Sequence, residues 1–219
     1  MQEEENVITE TEELLLTDKK IFTEIWFSPR KVFKYLNDND HDYWVTLLLI
    51  LGGITSAFSQ AATRNMGDRL SLIWVIVSCV IGGALFGWIS YYISAALLSW
   101  TGGWLHGKGN THSLLTMLSH SLIPSITTLI ITAIEIGLIG NGVFQSNSDF
   151  WGDGIVTGLI LVSLSVLELI LGIWTLVLGI IGNSEVQKFS VWKSILNIIL
   201  AASLVLIPLA IIVVLVGNY

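Results

Sequence analysis

Five long runs of apolar residues, joined by short polar loops, make up the sequence after residue 42. Each run reaches the ~20 residues that an α-helix needs to cross a hydrocarbon core of about 30 Å. Backbone groups in lipid must be hydrogen-bonded internally, so runs of this length indicate helices rather than barrel strands. The pattern therefore predicts an all-α polytopic membrane protein with a five-helix transmembrane domain over residues 43–219. Its helices are expected at about residues 43–62, 70–100, 113–140, 155–182 and 192–216.

The composition supports the same fold class. Hydrophobic residues make up 53% of the chain and charged residues 12%, whereas soluble domains carry about 25% charged residues. A water-soluble fold of 219 residues could not bury that much apolar surface, so a soluble enzyme is excluded. The first residues are acidic and lack an apolar core, so no cleaved secretory signal is predicted.

Charged residues are concentrated before the first apolar run. Residues 1–18 hold seven acidic and no basic residues, a composition that predicts a disordered acidic tail. Residues 19–42 add basic and aromatic side chains, and Ser28 followed by Pro29 is typical of a helix start. This segment is expected to lie along the membrane surface as an interfacial amphipathic helix; a helix that only packs against the bundle is the alternative. The residues expected at the membrane surface are Trp26, Phe27, Arg30, Lys31 and Lys34.

Basic residues also predict the orientation of the chain. Eight of them lie on the side of the membrane that holds the N-terminus, and only Arg64 and Arg69 lie on the other side. Cytoplasmic segments carry the excess of lysine and arginine, so the N-terminus is expected in the cytoplasm and the C-terminus outside. Five crossings place the termini on opposite sides, which agrees with this orientation.

Small and polar residues recur at helical spacing in the second and fourth runs. Residues three, four or seven apart share a helix face, and small residues on such a face let helix backbones approach. We therefore expect the second, third and fourth helices to pack tightly through these faces, without a cavity. A polar pathway for a solute is the alternative. The predicted packing residues are Gly83, Gly87, Ser90, Ser94, Gly158, Ser165, Gly172 and Gly179.

The third run combines a polar stripe with a proline. Pro124 cannot donate a backbone hydrogen bond to the carbonyl of His120, so the helix should kink there. A broken helix with hydroxyl groups and a histidine could form a site for a small ligand or cation, although many membrane prolines only bend a helix. The polar residues on this face are Ser121, Ser125, Thr128, Thr132 and Glu135.

Glu135 and Glu168 are the only acidic residues inside an apolar run. A charged group in the membrane costs at least ~2.5 kcal/mol, so its presence suggests a use. Each could be a protonated or hydroxyl-bonded carboxyl that fixes a helix contact, or a group that handles protons or cations. Counted from the helix ends, the two differ in depth by roughly 10 Å. They are therefore not expected to pair, and Glu135 should lie nearer the outer surface.

Motifs for enzymatic chemistry do not occur in the sequence. The four histidines and the single cysteine lack metal-ligand spacing, and there is no phosphate-binding loop, nucleophile elbow or zinc-protease motif. Basic residues are too few and too scattered for nucleic-acid binding. We therefore predict no catalytic residue, no metal or other cofactor, and no nucleic-acid partner.

Two stretches of the sequence carry a family resemblance. Residues 25–33 read Ile-Trp-Phe-Ser-Pro-Arg-Lys-Val-Phe. The second stretch, residues 87–100, continues through Gly102-Gly103 and Gly107-Lys108-Gly109 to the kink at residues 121–125. With five crossings and a short outer tail, residues 20–216 resemble the bacterial branch of the Yip1 family.

The resemblance implies an integral protein of a bacterial cytoplasmic (inner) membrane without a known enzymatic reaction. Eukaryotic Yip1 proteins are linked to vesicle traffic and to prenylated Rab-type GTPases through a cytoplasmic N-terminal region. This chain has a short acidic head and no counterpart of their Asp-Leu-x-Gly-Pro motif. A GTPase partner is therefore not expected here.

Two functions follow as hypotheses. The first is a noncatalytic scaffold or interaction protein in membrane organisation or trafficking. It would lay residues 20–36 on an anionic inner leaflet and associate with itself or with another membrane protein. The second is a small ion- or proton-coupled transporter or channel that uses Glu135, Glu168 and the polar helix around Pro124.

Overall fold

The computed structural model describes residues 18–39, 42–147 and 154–217. The predicted acidic tail, residues 1–18, lies outside these ranges except for its last residue. Within them the regular secondary structure is helical, and no strand occurs. Two 3-10 helices, Met66–Asp68 and Gly140–Phe144, accompany the α-helices. The α-helices are α1 (Asp18–Glu24), α2 (Pro29–Asp38), α3 (Val45–Thr63), α4 (Leu72–Trp104), α5 (Thr111–Ser121), α6 (Ile123–Ile139), α7 (Ile155–Gln187) and α8 (Val191–Gly217).

Five helical segments are long and apolar enough to cross a membrane, which confirms the predicted all-α fold with five spans. The longest single helices, α4 and α7, have 33 residues each. At ~1.5 Å per residue they measure about 50 Å, so they must tilt or extend beyond a hydrocarbon core of about 30 Å. The segments are Val45–Thr63, Leu72–Trp104, Thr111–Phe144, Ile155–Gln187 and Val191–Leu215.

The third span is made of two helices, α5 and α6. Asn110 caps α5: its side chain accepts from the backbone N–H of Ser113 at 2.8 Å. The chain then turns at Leu122, whose N–H bonds the carbonyl of Ser119 at 3.2 Å. Pro124 stands in the first turn of α6, where its missing N–H costs no hydrogen bond. The proline thus begins a new helix, and the second half of the span can take its own direction.

The most extensive helix–helix contact joins α3 and α4, and glycines make it close. A Cβ placed on Gly87 would lie 2.2 Å from the Cα of Gly53, and one on Gly83 would lie 2.6 Å from the Cα of Ile54. Backbones can approach this closely only where no side chain stands between them. Gly83 and Gly87 therefore pack against the first span, and not against the third and fourth as predicted.

Helices α1 and α2 cover one end of the bundle, which we call the near end. Their apolar side chains belong to the same buried core as Leu114, Met117 and Leu178 of the spans. The apolar side of α2 is thus buried in protein, and the expected lipid-facing interfacial helix is wrong on this point. The alternative, a helix packed against the bundle, describes the structure. The buried residues of α1, α2 and the turn between them are Ile21, Ile25, Val32, Phe33 and Leu36.

The opposite, far end is closed by the two 3-10 helices. Asn141 donates its side-chain N–H to the carbonyl of Gly67 at 2.9 Å. The Ser146 hydroxyl donates to Asp68 Oδ2 at 2.7 Å. These bonds tie the loop after the first span to the end of the third span.

Candidate functional site

A polar cavity of about 310 Å³ lies between the first, third and fourth spans in the far half of the bundle. Both intramembrane glutamates, Glu135 of α6 and Glu168 of α7, line it. We call it the carboxyl cavity. Its other polar lining residues are Thr55, Ser59 and Thr63 of α3 and Ser125, Thr128 and Thr132 of α6.

The hydroxyl groups of the carboxyl cavity bond mainly to their own helices. Thr132 donates to the carbonyl of Thr128 at 3.0 Å, and Thr55 donates to the carbonyl of Leu51 at 2.9 Å. In the part of the chain that the structure describes, neither Glu135 nor Glu168 accepts a hydrogen bond or forms an ion pair. Both carboxyl groups line the same cavity. Two carboxyl groups without a protein partner leave room for a proton, a cation or water between them.

Glu135 and Glu168 line one cavity, although the residue count places them at different depths. The lining runs from Ser125 to Glu135 along α6, which is about 15 Å at ~1.5 Å per residue. A difference in depth of roughly 10 Å therefore stays a prediction. The expectation that the α6 stripe packs without a cavity is wrong.

The structure divides the polar set predicted around Pro124. Ser125, Thr128 and Thr132 face the carboxyl cavity, whereas His120 and Ser121 do not line it. His120 is fully buried, and its Nδ1 lies 2.8 Å from the carbonyl oxygen of Thr116 and 3.2 Å from Ser119 Oγ. Ser121 donates to the carbonyl of Met117 at 2.8 Å. These contacts hold the end of α5 together.

Two glycines predicted as packing residues of the fourth span, Gly172 and Gly179, make no close contact with another helix. A Cβ on Gly172 or Gly179 would meet no atom within 4 Å, so the packing prediction is wrong for both. Gly172 opens onto the carboxyl cavity, and Gly179 lines an apolar groove nearer α8.

The remaining serine and glycine positions differ in their surroundings. Gly158 is buried, whereas Ser90, Ser94 and Ser165 are exposed. The exposed hydroxyls bond their own helices. Ser90 donates to the carbonyl of Gly87 at 2.7 Å, and Ser94 donates to the carbonyl of Ser90 at 2.8 Å. These serines satisfy their hydroxyls locally, so they need no partner helix.

The basic residues of α2 point away from the bundle. Arg30, Lys31 and Lys34 are exposed, and Phe27 in the preceding turn is 90% exposed. Trp26 is partly buried against the core instead. Four of the five residues expected at a membrane surface therefore lie on one accessible side of α2 and the turn before it. The apolar side of α2 is buried in the bundle instead.

A second polar cluster, which sequence reasoning missed, is buried at the near end. We call it the amide network. Thr101 Oγ1 donates to Asn197 Oδ1 at 2.7 Å, and Asn197 Nδ2 donates to Asn183 Oδ1 at 3.4 Å. Asn183 Nδ2 in turn donates to Ser194 Oγ at 3.0 Å. All four side chains are fully buried, so the network joins the second, fourth and fifth spans where no water competes.

Gln187 links the amide network to the loop after α4. Its Nε2 donates to the carbonyl of Leu98 at 3.0 Å, and its Oε1 accepts from the N–H of Gly109 at 3.0 Å. A Cβ on Gly102 or Gly107 would lie 2.1 Å from the Gln187 amide. Gly102 in the last turn of α4 and Gly107 in the loop are needed because the glutamine side chain occupies the space that a Cβ would fill. Burial of Gln187 thus gives a physical reason for the glycine pattern noted in the sequence.

One signal could have identified this cluster. Asn197 is an amide inside an apolar run, and Asn183 and Gln187 follow directly after another run. Uncharged amides in or beside the membrane need hydrogen-bond partners much as charges do.

Histidine and acidic residues also meet at the near end. His112 Nε2 lies 2.9 Å from Asp42 Oδ2, and Thr116 donates to Asp42 Oδ1 at 3.1 Å. This pair fastens the start of α3 to α5. Over residues 18–39, 42–147 and 154–217, no group of three histidine, cysteine or acidic residues is placed to hold a metal ion.

Comparison with known proteins covers nearly the whole described chain. The model of the Yip1 domain family matches residues 23–214, which include α2, the carboxyl cavity and the amide network. A search of the curated proteins and of the solved structures gave no match. The family match, the five spans and the all-helical fold agree with each other, and the chain belongs to the Yip1 domain family.

Proposed function

We propose that this Yip1 domain protein is a noncatalytic membrane scaffold, in which the five spans hold a basic head against the membrane surface. The head consists of α1 and α2. Its outward side, formed by Phe27, Arg30, Lys31 and Lys34, is called the basic face. The head would gather anionic phospholipids around the near end of the bundle, on the cytoplasmic side of a bacterial inner membrane.

The division of α2 into a buried and an exposed side carries this proposal. Val32, Phe33 and Leu36 are at most 2% exposed, so the helix is fixed against the bundle, while Arg30 and Lys34 remain accessible. Basic side chains near an anionic leaflet each contribute about 1 kcal/mol to its attraction. A fixed basic face beside the headgroups can therefore enrich anionic lipid without a pocket.

Lipid enrichment can be measured by energy transfer on the full-length protein. Cys79 is replaced by serine, and a donor dye is attached to a new cysteine at the exposed Asn39, directly after α2. The protein is reconstituted with acceptor-labelled phosphatidylglycerol or acceptor-labelled phosphatidylcholine. We expect severalfold higher transfer to phosphatidylglycerol at low salt, and a loss of that difference in 1 M salt, because the Debye length falls to about 3 Å.

Charge reversal on the basic face supplies the matched comparison. Arg30→Glu with Lys34→Glu should abolish the preference for phosphatidylglycerol. Lys108→Glu with Lys193→Glu changes the net charge equally, in the loop after α4 and in the first turn of α8, and should keep most of the preference. Equal transfer to both lipids in the parent protein would reject the proposal, and so would an equal loss in the two double variants.

A second function, proton- or cation-coupled transport, is supported by the carboxyl cavity. Glu135 and Glu168 line the same cavity, and neither has a hydrogen-bond or ion-pair partner among the described residues. Intramembrane carboxyl groups commonly serve ion pathways. The hydroxyl groups of α3 and α6 could complete the coordination of a small cation. This function and the scaffold function use different ends of the bundle, so they can be tested separately.

Flux in proteoliposomes tests the carboxyl cavity. Proton, Na⁺ and K⁺ movement is followed with ion-sensitive dyes for the parent, for Glu135→Gln with Glu168→Gln, and for Gly172→Leu. The leucine should fill the cavity without displacing a neighbour, because a Cβ on Gly172 meets no atom within 4 Å. We expect both variants to lose at least tenfold of the parent's flux. Gly137→Leu on α6, which is equally open and is not among the residues that line the carboxyl cavity, should keep it. A parent without flux excludes transport.

A further inference from the structure

A groove runs between α3 and α4 on the outside of the bundle, separate from the carboxyl cavity and the head. It has a volume of about 320 Å³ and reaches from Arg64, just past the end of α3, to Gly53 and Ser90. Its floor is made of small residues, and Phe86, which is 67% exposed, forms part of its wall. We propose that this groove binds one phospholipid, with the phosphate at Arg64 and an acyl chain along the floor.

The charge at the mouth of the groove fits a lipid phosphate. Arg64 immediately follows the last residue of the span Val45–Thr63, at the level where headgroups lie. No described group makes an ion pair or hydrogen bond with its guanidinium. Gln60, one helical turn earlier, lines the same groove, and its amide makes only a 3.5 Å contact with Ser56. A guanidinium can donate two hydrogen bonds to a phosphate, and the Gln60 amide can donate to the ester oxygens below it.

The length of the groove fits part of an acyl chain. Gly53 and Arg64 are eleven positions apart in the sequence, which corresponds to about 16 Å of helix and roughly to half of a ~30 Å hydrocarbon core. An acyl chain that starts from a phosphate at Arg64 can therefore lie along the small residues of the floor through one leaflet.

Gly82 keeps part of the groove open. The glycines beside it in the contact, Gly53, Gly83 and Gly87, are explained by the close approach of α3 and α4. Gly82 lines the groove, and a Cβ there would meet no atom within 4 Å. A larger side chain at this position would therefore occupy the groove without displacing a neighbour.

Two substitutions separate the acyl-chain contact from the phosphate contact. Gly82→Leu fills the floor of the groove and should leave the fold unchanged, because nothing stands where its side chain begins. Arg64→Ala removes the phosphate ligand and leaves the groove open. Gly137→Leu adds the same side chain to another open helical glycine outside the groove and serves as the control.

Native mass spectrometry of the full-length protein, released from detergent, can count the bound lipid. The probe is phosphatidylethanolamine, which has a phosphate but no net charge and so is not concentrated by the basic face. Diacylglycerol with the same acyl chains is the probe without phosphate. We expect one phosphatidylethanolamine per chain, bound at least tenfold more weakly by Arg64→Ala and by Gly82→Leu. Diacylglycerol should be weakened by Gly82→Leu alone, and Gly137→Leu should match the parent with both probes.

Three results would overturn the proposal. One is equal retention of phosphatidylethanolamine by the parent and by Gly82→Leu. Another is equal affinity of the parent for phosphatidylethanolamine and diacylglycerol, which removes the role of Arg64. The third is a change of oligomeric state in nanodiscs caused by Gly82→Leu without a change in lipid retention, which would make the groove a helix-docking surface.

Discussion

Replacing Gly87 with alanine should destabilise the folded bundle by about 3 kcal/mol, the upper part of the range for overpacked cores. The added Cβ would lie 2.2 Å from the Cα of Gly53 and 3.0 Å from its carbonyl carbon. Because these are backbone atoms, no rotamer change can relieve the overlap, and α3 must move away from α4. That movement would loosen the most extensive helix pair of the bundle.

The single cysteine provides the measurement. Cys79 lies in α4 at the same contact and is 3% exposed, so a thiol-reactive fluorogenic dye labels it only after α3 and α4 separate. On heating in detergent, Gly87→Ala should label at a clearly lower temperature than the parent. Gly82→Ala, five positions earlier on the same helix, has open space around its Cβ and should be neutral or stabilising by up to about 1 kcal/mol. Equal midpoints for the two variants would contradict the contact between Gly53 and Gly87.

Replacing Gly102 with alanine should also destabilise the protein, by about 2 kcal/mol, and the loss should depend on Gln187. The new Cβ would lie 2.1 Å from Gln187 Nε2, so the glutamine must leave its place. Its departure breaks the bonds to the carbonyl of Leu98 and to the N–H of Gly109. The partly buried N–H of Gly109 then has no protein acceptor, and such a group would cost about 1–3 kcal/mol if it were fully buried. Thermal unfolding followed with the same dye reports the total loss.

A double-mutant cycle isolates the contact between these two side chains. In a Gln187→Ala background the space beside Gly102 is empty, so Gly102→Ala should cost little more. The two effects should therefore be strongly non-additive, as expected for residues in contact. Gly103→Ala is the control, because a Cβ on the neighbouring glycine meets no atom within 4 Å. Additive effects of Gly102→Ala and Gln187→Ala would show that Gln187 does not explain the glycine.

The number of spans and their helical character could be predicted because lipid imposes one requirement on every crossing segment. An apolar run long enough to cross must satisfy its own backbone, so run length alone identifies the helices. The break near Pro124 could be predicted for a similar local reason, since a proline lacks the N–H that an uninterrupted helix uses. Both conclusions depend on neighbouring residues in the sequence.

The partners of each helix face could not be predicted in the same way. The spacing of small residues around Gly87 predicts a packing face. The neighbouring residues in the sequence do not identify Gly53 as its contact. That Glu135 and Glu168 line one cavity depends on how α6 and α7 pack together, and residue counting within one helix does not contain that information. The apolar side of α2 is equally suited to lipid and to protein, and only the position of the bundle end decides between them.

The amide network and Gln187 determine when the near end of the bundle can fold during membrane insertion. Gly109 donates its N–H to a residue 78 positions later, and Thr101 donates its hydroxyl to one 96 positions later. While the first three spans are being synthesised, the N–H groups of Lys108 and Gly109 therefore lack the acceptors that Gln187 provides. The near end can close only when Asn197 of the last span has left the ribosome. The loop after α4 consequently reaches its native structure only after the fourth and fifth spans have been made.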